Sequence, residues 1–341
     1  MKQAIILILS ILALSLVGCD SEKSNTESVS GNIDDTEAMK NKVDGQSEGV
    51  SVTDTFTIEL EPLFPSENFN ECMGIVLHQQ KDIIYFATNG KFIYEYNLQN
   101  KTGPKLIANI KEVTRKWNDD YGDTFLHDIE LGTDGQIYAA AENCILKINP
   151  ATGDYTTLIS DVFKGGWGAY GIDLDKDENI YVGDHHGGIH FYLKKKNWLK
   201  KTIIAGSKAD DTKKSFGGVL INNDLLYYLD FENSLLHSAK LEWKEDFPEI
   251  ASNKIKSLQI PVPYPEYLEV WGGDIFVKAA RENTMFRVRD NQVVQKIDFA
   301  SNEEVSPIVT FVFYGSQEKT SDFYGLSWGP QGTMFKGRMD W

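Results

Sequence analysis

The sequence predicts an all-β protein: a six-bladed β-propeller that follows a signal peptide and a disordered tether. Three observations indicate this: a strand pair that recurs six times, a second hairpin after the first five pairs, and an N-terminal segment of different composition. One four-stranded sheet buries neither face, whereas six stacked around an axis bury both faces of each. We therefore divide the chain into a signal peptide (1–18), a tether (19–54) and a propeller (55–341).

The N-terminus is typical of an exported lipoprotein. Residues 4–17 form an apolar run, shorter than the about 20 residues that a transmembrane helix needs, and suit the hydrophobic region of a signal peptide. The motif Leu16-Val17-Gly18-Cys19 that follows resembles a lipobox. This resemblance implies that the Cys19 thiol is diacylated, with chains such as palmitate, and becomes the new N-terminus. The alternative is an ordinary signal peptide with an incidental cysteine.

Two acyl chains are enough for stable anchoring, so we expect the protein in the cell envelope, on the periplasmic face or the cell surface. Between Asp20 and Asp54, nine acidic residues and three lysines lie in a stretch almost free of large apolar groups. Such a segment buries too little surface to offset its ordering entropy. We predict a flexible tether with a mean reach of roughly 30–35 Å.

The overall charge argues against two classes of binding partner. A formal net charge of −16 argues against nucleic acid, which requires a basic surface, and against electrostatic docking on anionic lipid. A hydrophobic content of 41% supports a globular core. We expect a monomer whose partner is a protein or a small molecule.

The repeat is clearest in three segments that align without a gap. They are Asp128–Tyr138, Gly171–Tyr181 and Gly325–Phe335. Each predicts a strand, a turn of Asp, Gly, Asn or Pro, and a second strand with an aromatic residue near its start. Looser copies begin at Gly74, Gly218 and Tyr267, which makes six.

A second hairpin follows each of the first five pairs. The predicted third strands are Phe92–Tyr96, Ile145–Ile148, Ile189–Leu193, Leu235–Ala239 and Met285–Val288. A more polar fourth strand ends each unit, as in Tyr155–Ile159 and Trp198–Ile204. Four short strands per unit of roughly 40–50 residues indicate a propeller.

Two segments decide how the ring closes. Residues 55–63 form an isolated strand, which we predict completes the last blade and so removes the free edges. The run 307–314 has two interpretations. It is either an outer strand or inserted hairpin of blade five, or the first strand of blade six, with the last two strands shifted outward.

The stretch 171–184, a strand followed by Asp-Lys-Asp-Glu-Asn, Ile-Tyr-Val and Gly-Asp, resembles NHL-repeat, SMP-30 (gluconolactonase)-like and streptogramin-lyase-like propellers. The resemblance spans about residues 55–341 and is specific for architecture. For the lactonases it implies a divalent metal (Ca, Mg or Zn) at the channel mouth. Glu71 lies near the first ligand position of that family, but its offset from Gly74 differs from the family's Glu-x-Pro. The lyases use a late histidine as base, whereas the last histidine here is His237.

Histidine and aspartate recur at two places that face one end of a propeller. His127 and Asp128 open the first strand of blade two, and Asp184, His185 and His186 form a turn of blade three. Such a set suits a divalent cation, or a base with its orienting carboxylate. The alternative is structural: aspartate favours turns and often caps the neighbouring blade.

The remaining candidates are ligand contacts on the same end. Glu142, Glu232 and Glu282 occupy equivalent turns, with Arg281 as the one basic residue, and they predict an acidic mouth or simply solvated turns. Trp167 and Tyr170 predict a stacking surface or packing between blades. Cys72 and Cys144 are either a disulfide or two buried thiols.

Two hypotheses of function remain. The first is a binding or scaffolding propeller held at a membrane. The second is a metal-dependent lactonase- or lyase-like enzyme at the channel mouth. The absence of the lactonase ligand pattern favours the first.

Overall fold

A computed structural model describes most of the propeller region. The residues it describes are 52, 54–65, 67, 69, 72–88, 90–110, 125–141, 144–160, 162, 168–184, 188–206, 216–279, 282–300, 306–316, 320–329 and 332–341. The predicted signal peptide and nearly all of the predicted tether lie outside these residues. Within the described residues, no helix is long and apolar enough to cross a membrane.

The described chain forms the six predicted blades, each built on antiparallel strands. Two short strands come first, β1 (Thr55–Glu59) and β2 (Glu61–Pro62). Blade one contains β3 (Gly74–His78), β4 (Ile83–Thr88), β5 (Phe92–Asn97) and β6 (Lys105–Asn109). Blade two contains β7 (Leu126–Leu131), β8 (Ile137–Ala141), β9 (Cys144–Ile148) and β10 (Tyr155–Ile159). Blade three contains β11 (Ala169–Leu174), β12 (Ile180–Asp184), β13 (Ile189–Leu193) and β14 (Leu199–Ile204).

In the second half of the ring, blades four and six depart from the plan of four consecutive strands. Blade four contains β15 (Phe216–Asn222), β16 (Leu225–Asp230), β17 (Leu235–Lys240) and β20 (Ile255–Gln259), with the hairpin β18 (Glu242–Lys244) and β19 (Phe247–Glu249) inserted before its last strand. Blade five contains β21 (Pro265–Trp271), β22 (Asp274–Ala279), β23 (Thr284–Arg289) and β24 (Gln292–Ala300). Blade six contains β25 (Ile308–Ser316), β26 (Thr320–Ser327) and β27 (Met334–Asp340). Short 3-10 turns cover Gln79–Lys81, Lys194–Lys196 and Ser252–Lys254.

The first strand of each blade lies at the centre. β3, β7, β11, β15, β21 and β25 contact one another in that order, and β25 returns to β3. This closed contact order is the ring that the six repeats predict. The buried side chains form clusters between neighbouring blades, such as Ile129 and Ile137 of blade two with Val76 and Ile93 of blade one.

The N-terminal segment divides between two blades. β2 pairs antiparallel with β27 and closes blade six, as predicted. β1 instead pairs parallel with β24 as a fifth strand of blade five, so the prediction that the whole segment completes the last blade was too simple. Ile58 explains the attachment, since this fully buried side chain packs among Ile297, Phe299 and Met339, at the junction of blades five and six.

In blade six the second of the two interpretations is confirmed. The run after Pro307 forms β25, the innermost strand, which pairs with β26. The copy Gly325–Phe335 therefore spans the second and third strands, not the first and second. The misplacement has a physical cause: any strand–turn–strand segment with an aromatic residue fits the repeat, whichever neighbouring strands it joins.

Candidate functional site

The central channel is lined by alternate residues of the inner strands. One position recurs: it lies opposite the aromatic residue of the second strand that marks the repeat. The pairs are Val76 with Tyr85, Glu130 with Tyr138, Asp173 with Tyr181, Leu220 with Tyr227, and Glu269 with Phe276. Three of these five equivalent positions therefore carry a carboxylate, and each belongs to a different blade.

These carboxylates meet in one axial cavity of about 260 Å³. Asp128, Glu130, Asp173 and Glu269 all line it, together with the aromatic side chains of Tyr267, Trp271 and Phe313. Among the described residues of the lining there is no lysine or arginine. The cavity is therefore acidic and partly aromatic, and the acidic residues are not neutralised from within it.

Two of the four carboxylates also join neighbouring blades. Asp128 accepts hydrogen bonds from the backbone amide of Ile129 at 2.9 Å and from that of Ile172, in blade three, at 3.1 Å. Asp173 repeats the arrangement, with the amides of Leu174 at 2.6 Å and of Ile221, in blade four, at 2.5 Å. The structural alternative for Asp128 is thus confirmed: it caps the next blade.

Burial makes the charged form of all four groups costly. It raises the pKa of Asp128 to about 8, against the opposing effect of its two amide donors. Burial likewise raises the pKa of Asp173 to about 7 and that of Glu269 to about 8. The pKa of Glu130 lies well above its usual value, first through burial and then through the charges of Asp173, Asp128 and Glu269. A cation in the cavity would favour the charged carboxylates and so oppose both effects.

Blade five contributes the cavity side chains that are best suited to bind a ligand. Tyr267, Glu269 and Trp271 alternate along β21, so they project from the same face of the strand into the cavity. Glu269 accepts one hydrogen bond, from the Val270 amide at 3.0 Å, through Oε1. The Trp271 indole is fixed by a 3.2 Å hydrogen bond to Ser321 Oγ. A carboxylate between two aromatic rings suits an organic cation.

One mouth of the channel lies where the inner strands begin. There a small cavity is lined by His127, Asp128, Tyr170, Glu266 and other residues. The imidazole of His127 packs against the ring of Tyr170, with centroids 5.2 Å apart. The structure thus brings together three of the predicted residues, His127, Asp128 and Tyr170.

The other candidates are placed elsewhere. Asp184 closes its own turn: Oδ1 accepts the Gly188 amide at 2.8 Å, and Oδ2 lies 2.9 Å from Nε2 of His190. Glu232 and Glu282 are exposed. Cys72 and Cys144 are separate buried thiols, not a disulfide. Seven predicted residues lie outside the described residues: Cys19, Glu71, Glu142, Trp167, His185, His186 and Arg281.

A buried lysine lies near this mouth. Lys278 is opposite Tyr267 in the sheet and is fully buried. Its ammonium donates hydrogen bonds to the backbone carbonyls of Ala279 and Glu282. Burial lowers its pKa to about 7, against the opposing charges of Glu266 and Glu282.

The channel residues do not fit the divalent metal that the family resemblance implies. Both oxygens of Asp128 and of Asp173 already accept amide hydrogens, and burial favours the protonated forms of these groups, which do not bind metal ions. In the part of the chain that is described, no group of three or more His, Cys, Asp or Glu side chains is arranged to hold a metal ion. The described channel residues therefore offer carboxyl groups and hydrogen-bond acceptors rather than a coordination sphere for a metal.

Sequence reasoning missed Glu130, Asp173, Glu269 and Lys278. The first two were visible in the alignment, since they occupy the same column of the gapless repeats, and Glu269 occupies that column in the looser copy of blade five. The signal was alternation along an inner strand, where every second residue faces the axis. Nothing in the sequence marks Lys278, because its burial depends on the backbone carbonyls around it.

No protein-family model and no curated protein sequence matches the chain. Solved structures do match. A calcium-binding regucalcin from Agrobacterium tumefaciens superposes with a TM-score of 0.63 at 10% identity, covering 83% of this chain and 95% of its own. A luciferin-regenerating enzyme gives 0.62 at 12%, covering 82% and 95%. A gluconolactonase from Xanthomonas campestris gives 0.58 at 12%, covering 82% and 89%. At such identities the likeness concerns fold, and this chain has the six-bladed β-propeller architecture of regucalcin and gluconolactonase-like proteins.

Proposed function

We propose that this protein is a membrane-anchored binding propeller, which takes a small organic ammonium ion into its axial cavity. One observation carries the proposal: four carboxylates and two channel-facing aromatic residues of β21 line a cavity without a described basic residue. A protonated amine offers hydrogen bonds and charge to the carboxylates, and its alkyl groups contact Tyr267 and Trp271.

The volume of the axial cavity limits the size of the ligand. Sites for drug-sized ligands usually measure about 300–1,000 Å³, so a cavity of about 260 Å³ suits a small amine. The pKa values of the cavity provide a further signature. A bound cation lowers the raised pKa of Glu269 and of Glu130, so binding below about pH 8, the pKa of Glu269, should release protons.

The test is calorimetric titration with ethanolamine and tetramethylammonium, with glycerol as the uncharged control. We expect binding of at least one cation, no binding of glycerol, and heats that vary with the ionisation enthalpy of the buffer. Glu269→Gln keeps the acceptor for Val270 and should weaken binding about tenfold. Glu232→Gln, on an exposed turn, is the matched control. No binding of either cation by the wild-type protein would refute the proposal.

Membrane anchoring is a separate part of the proposal. It rests on the lipobox-like motif that ends at Cys19, and we expect mass spectrometry of the mature protein to find a diacylated N-terminal cysteine. Cys19→Ser should release the protein from membranes. A mature N-terminus at another residue, without lipid, would overturn this part alone.

The second candidate is lactone hydrolysis at the mouth. Two observations favour it: His127 and Asp128 line one small cavity there, and a gluconolactonase shares the fold. The imidazole would serve as general base. Hydrolysis of glucono-δ-lactone that is lost in His127→Asn, in the presence of added Ca²⁺, Mg²⁺ or Zn²⁺, would establish it. Metal analysis and melting in EDTA would then decide whether a cation takes part.

A further inference from the structure

Another cavity lies at the end of the propeller opposite the mouth that His127, Asp128 and Tyr170 line. It is a groove of about 1,010 Å³ between blades three and four. Its walls come from the turn after β11, the turn after β15, the 3-10 turn that begins at Lys194, and the inserted hairpin β18–β19. The proposed function does not use this groove.

The hairpin gives the groove an aromatic wall. Trp243 lines the groove with 44% of its surface exposed. Its inner edge is held by Phe191 of blade three, edge to face with centroids 5.8 Å apart. A tryptophan fixed on one side and bare on the other offers a flat, preformed surface for stacking.

Lysines of blade three fasten the hairpin in place. Lys195 and Lys196 both pair with Asp246, the latter at 2.8 Å, and Lys201 pairs with Glu249 at 2.8 Å. Lys196 and Lys201 also lie over the ring of Phe247, at 5.6 and 5.7 Å from its centroid. The aromatic wall is therefore held against blade three by charge as well as by packing.

The floor of the groove contains an unpaired hydroxyl. Tyr181 is fully buried, its side chain lines the groove, and its OH has no hydrogen-bond partner within the described structure. Asp175 and Asp224, which also line the groove, are close enough to raise its pKa after the larger effect of burial. Buried polar groups nearly always have a partner, so this enclosed hydroxyl indicates a bridging water beneath the groove.

The remaining polar groups favour hydroxyl donors. The rim presents Asp177, Asn223 and Asp224 as carboxylate and amide acceptors, whereas Lys194 and Lys195 are engaged by Glu178 and Asp246. Lys176 also lines the groove, but the carboxylates of Asp175, Asp177, Asp224 and Glu245 outnumber it, so the groove disfavours an anion. Acceptors around a flat aromatic surface match the faces of a sugar ring, which is apolar on its C–H side and carries donors at its edge.

We propose that this groove binds a neutral saccharide, with one ring stacked on Trp243 and its hydroxyls hydrogen-bonded to the acceptors of the rim. The volume accommodates more than one ring, so the ligand is an oligosaccharide. The site is independent of the axial cavity, and its failure would leave the proposed function untouched.

The test is calorimetric titration of the full chain with the trimer of N-acetylglucosamine and with maltotriose. We expect one of the two to bind and to shift tryptophan emission. Trp243→Ala should weaken binding at least tenfold, whereas Trp328→Ala, the matched control, removes a tryptophan that is 49% exposed in blade six and should leave affinity unchanged.

Tyr181→Phe is a second control, because it removes only the enclosed hydroxyl beneath the groove. Loss of an unpaired buried hydroxyl should leave the melting temperature unchanged or raise it, and saccharide affinity should stay unchanged. Failure of both saccharides to bind the wild-type protein would overturn the proposal. So would unchanged affinity in Trp243→Ala, or salt-sensitive binding of a trilysine peptide in place of the saccharides. None of these results would alter ammonium binding in the axial cavity.

Discussion

Gly337 of blade six lies directly beneath Ile58 of β1, so closely that a Cβ on Gly337 would overlap the Cγ2 methyl of Ile58. The same Cβ would meet the backbone oxygen of Glu59 at 3.2 Å. The missing side chain is thus what allows the N-terminal strand to lie across the junction of blades five and six. Ring closure depends on this contact as well as on backbone pairing.

Gly337→Ala should therefore destabilise the protein by about 1–3 kcal/mol, the usual cost of overpacking. Ile58 cannot turn away, because its β-branched side chain is fully buried and restricted at χ1. Gly103→Ala is the control, since nothing lies within 4 Å of a Cβ there. Urea unfolding checks both variants, and equal free energies of unfolding would mean that the N-terminal strand does not close the ring as described.

Asp128→Ala should also be costly. It removes the acceptor of two buried amides, those of Ile129 and Ile172. A buried donor left without a partner costs about 1–3 kcal/mol, so we expect a loss of at least about 2 kcal/mol in unfolding free energy. Asp177→Ala, on an exposed turn, should change it little. If Asp128→Ala unfolds like the wild type, the bridge between blades two and three contributes nothing.

The acidic cavity predicts an unusual pH dependence. Burial raises the pKa of Glu269 from 4.5 to about 8, so between these pH values the folded state holds a proton that the unfolded state has lost. Stability from this group is full below the lower value and is lost as the pH rises through the higher one. Glu269→Gln cannot titrate in this way. At about pH 8.5 its free energy of unfolding should therefore exceed that of the wild type by at least about 1 kcal/mol, the equivalent of one pKa unit.

The comparison is made by urea unfolding at pH 5 and pH 8.5, with Glu232→Gln as the exposed control. A difference between Glu269→Gln and wild type that stays constant across this range would show that Glu269 titrates normally. The same titration in ethanolamine tests the proposed function as well, because a bound cation should flatten the slope of the wild-type protein.

Much of the architecture was predictable because it follows from local patterns. The strand pairs around Tyr138 and Tyr181 and the third strand at Leu235 follow from alternation and turn residues. The split of the N-terminal segment and the place of β25 did not follow, since both depend on which strands pair over long sequence separations. The repeat specified a strand at each position and left the order of blade six open.

The candidate site was predictable only in part, and for a related reason. His127, Asp128 and Tyr170 could be placed at the mouth because each adjoins the start of an inner strand. For Asp128 the sequence left a ligand role and a cap of the neighbouring blade both open, since its second partner, Ile172, belongs to another blade. The hairpin with Trp243 was also missed. Its short strands look like a polar loop, and its groove exists only through contact with blade three.

Lys278 should give the protein a second, opposite pH dependence. Its pKa is lowered by burial to about 7 from an ordinary value of 10.5, so between these pH values the unfolded state binds a proton that the folded state has released. Unfolding free energy must then rise with pH across this window. Lys278→Met should abolish the rise, whatever its effect on absolute stability, and Lys256→Met, at an exposed position, should retain it.

Because Lys278 also forms hydrogen bonds, the pH dependence of stability, and not its absolute value, is the informative measurement. Ala279 and Glu282 accept its hydrogen bonds, so the methionine variant loses stability at every pH, and only the slope between pH 7.5 and 10 reports the titration. A slope equal to that of wild type would mean that the ammonium stays protonated. Its charge would then be balanced by Glu266 and by the acidic channel beside it, and the mouth would hold a permanent cation.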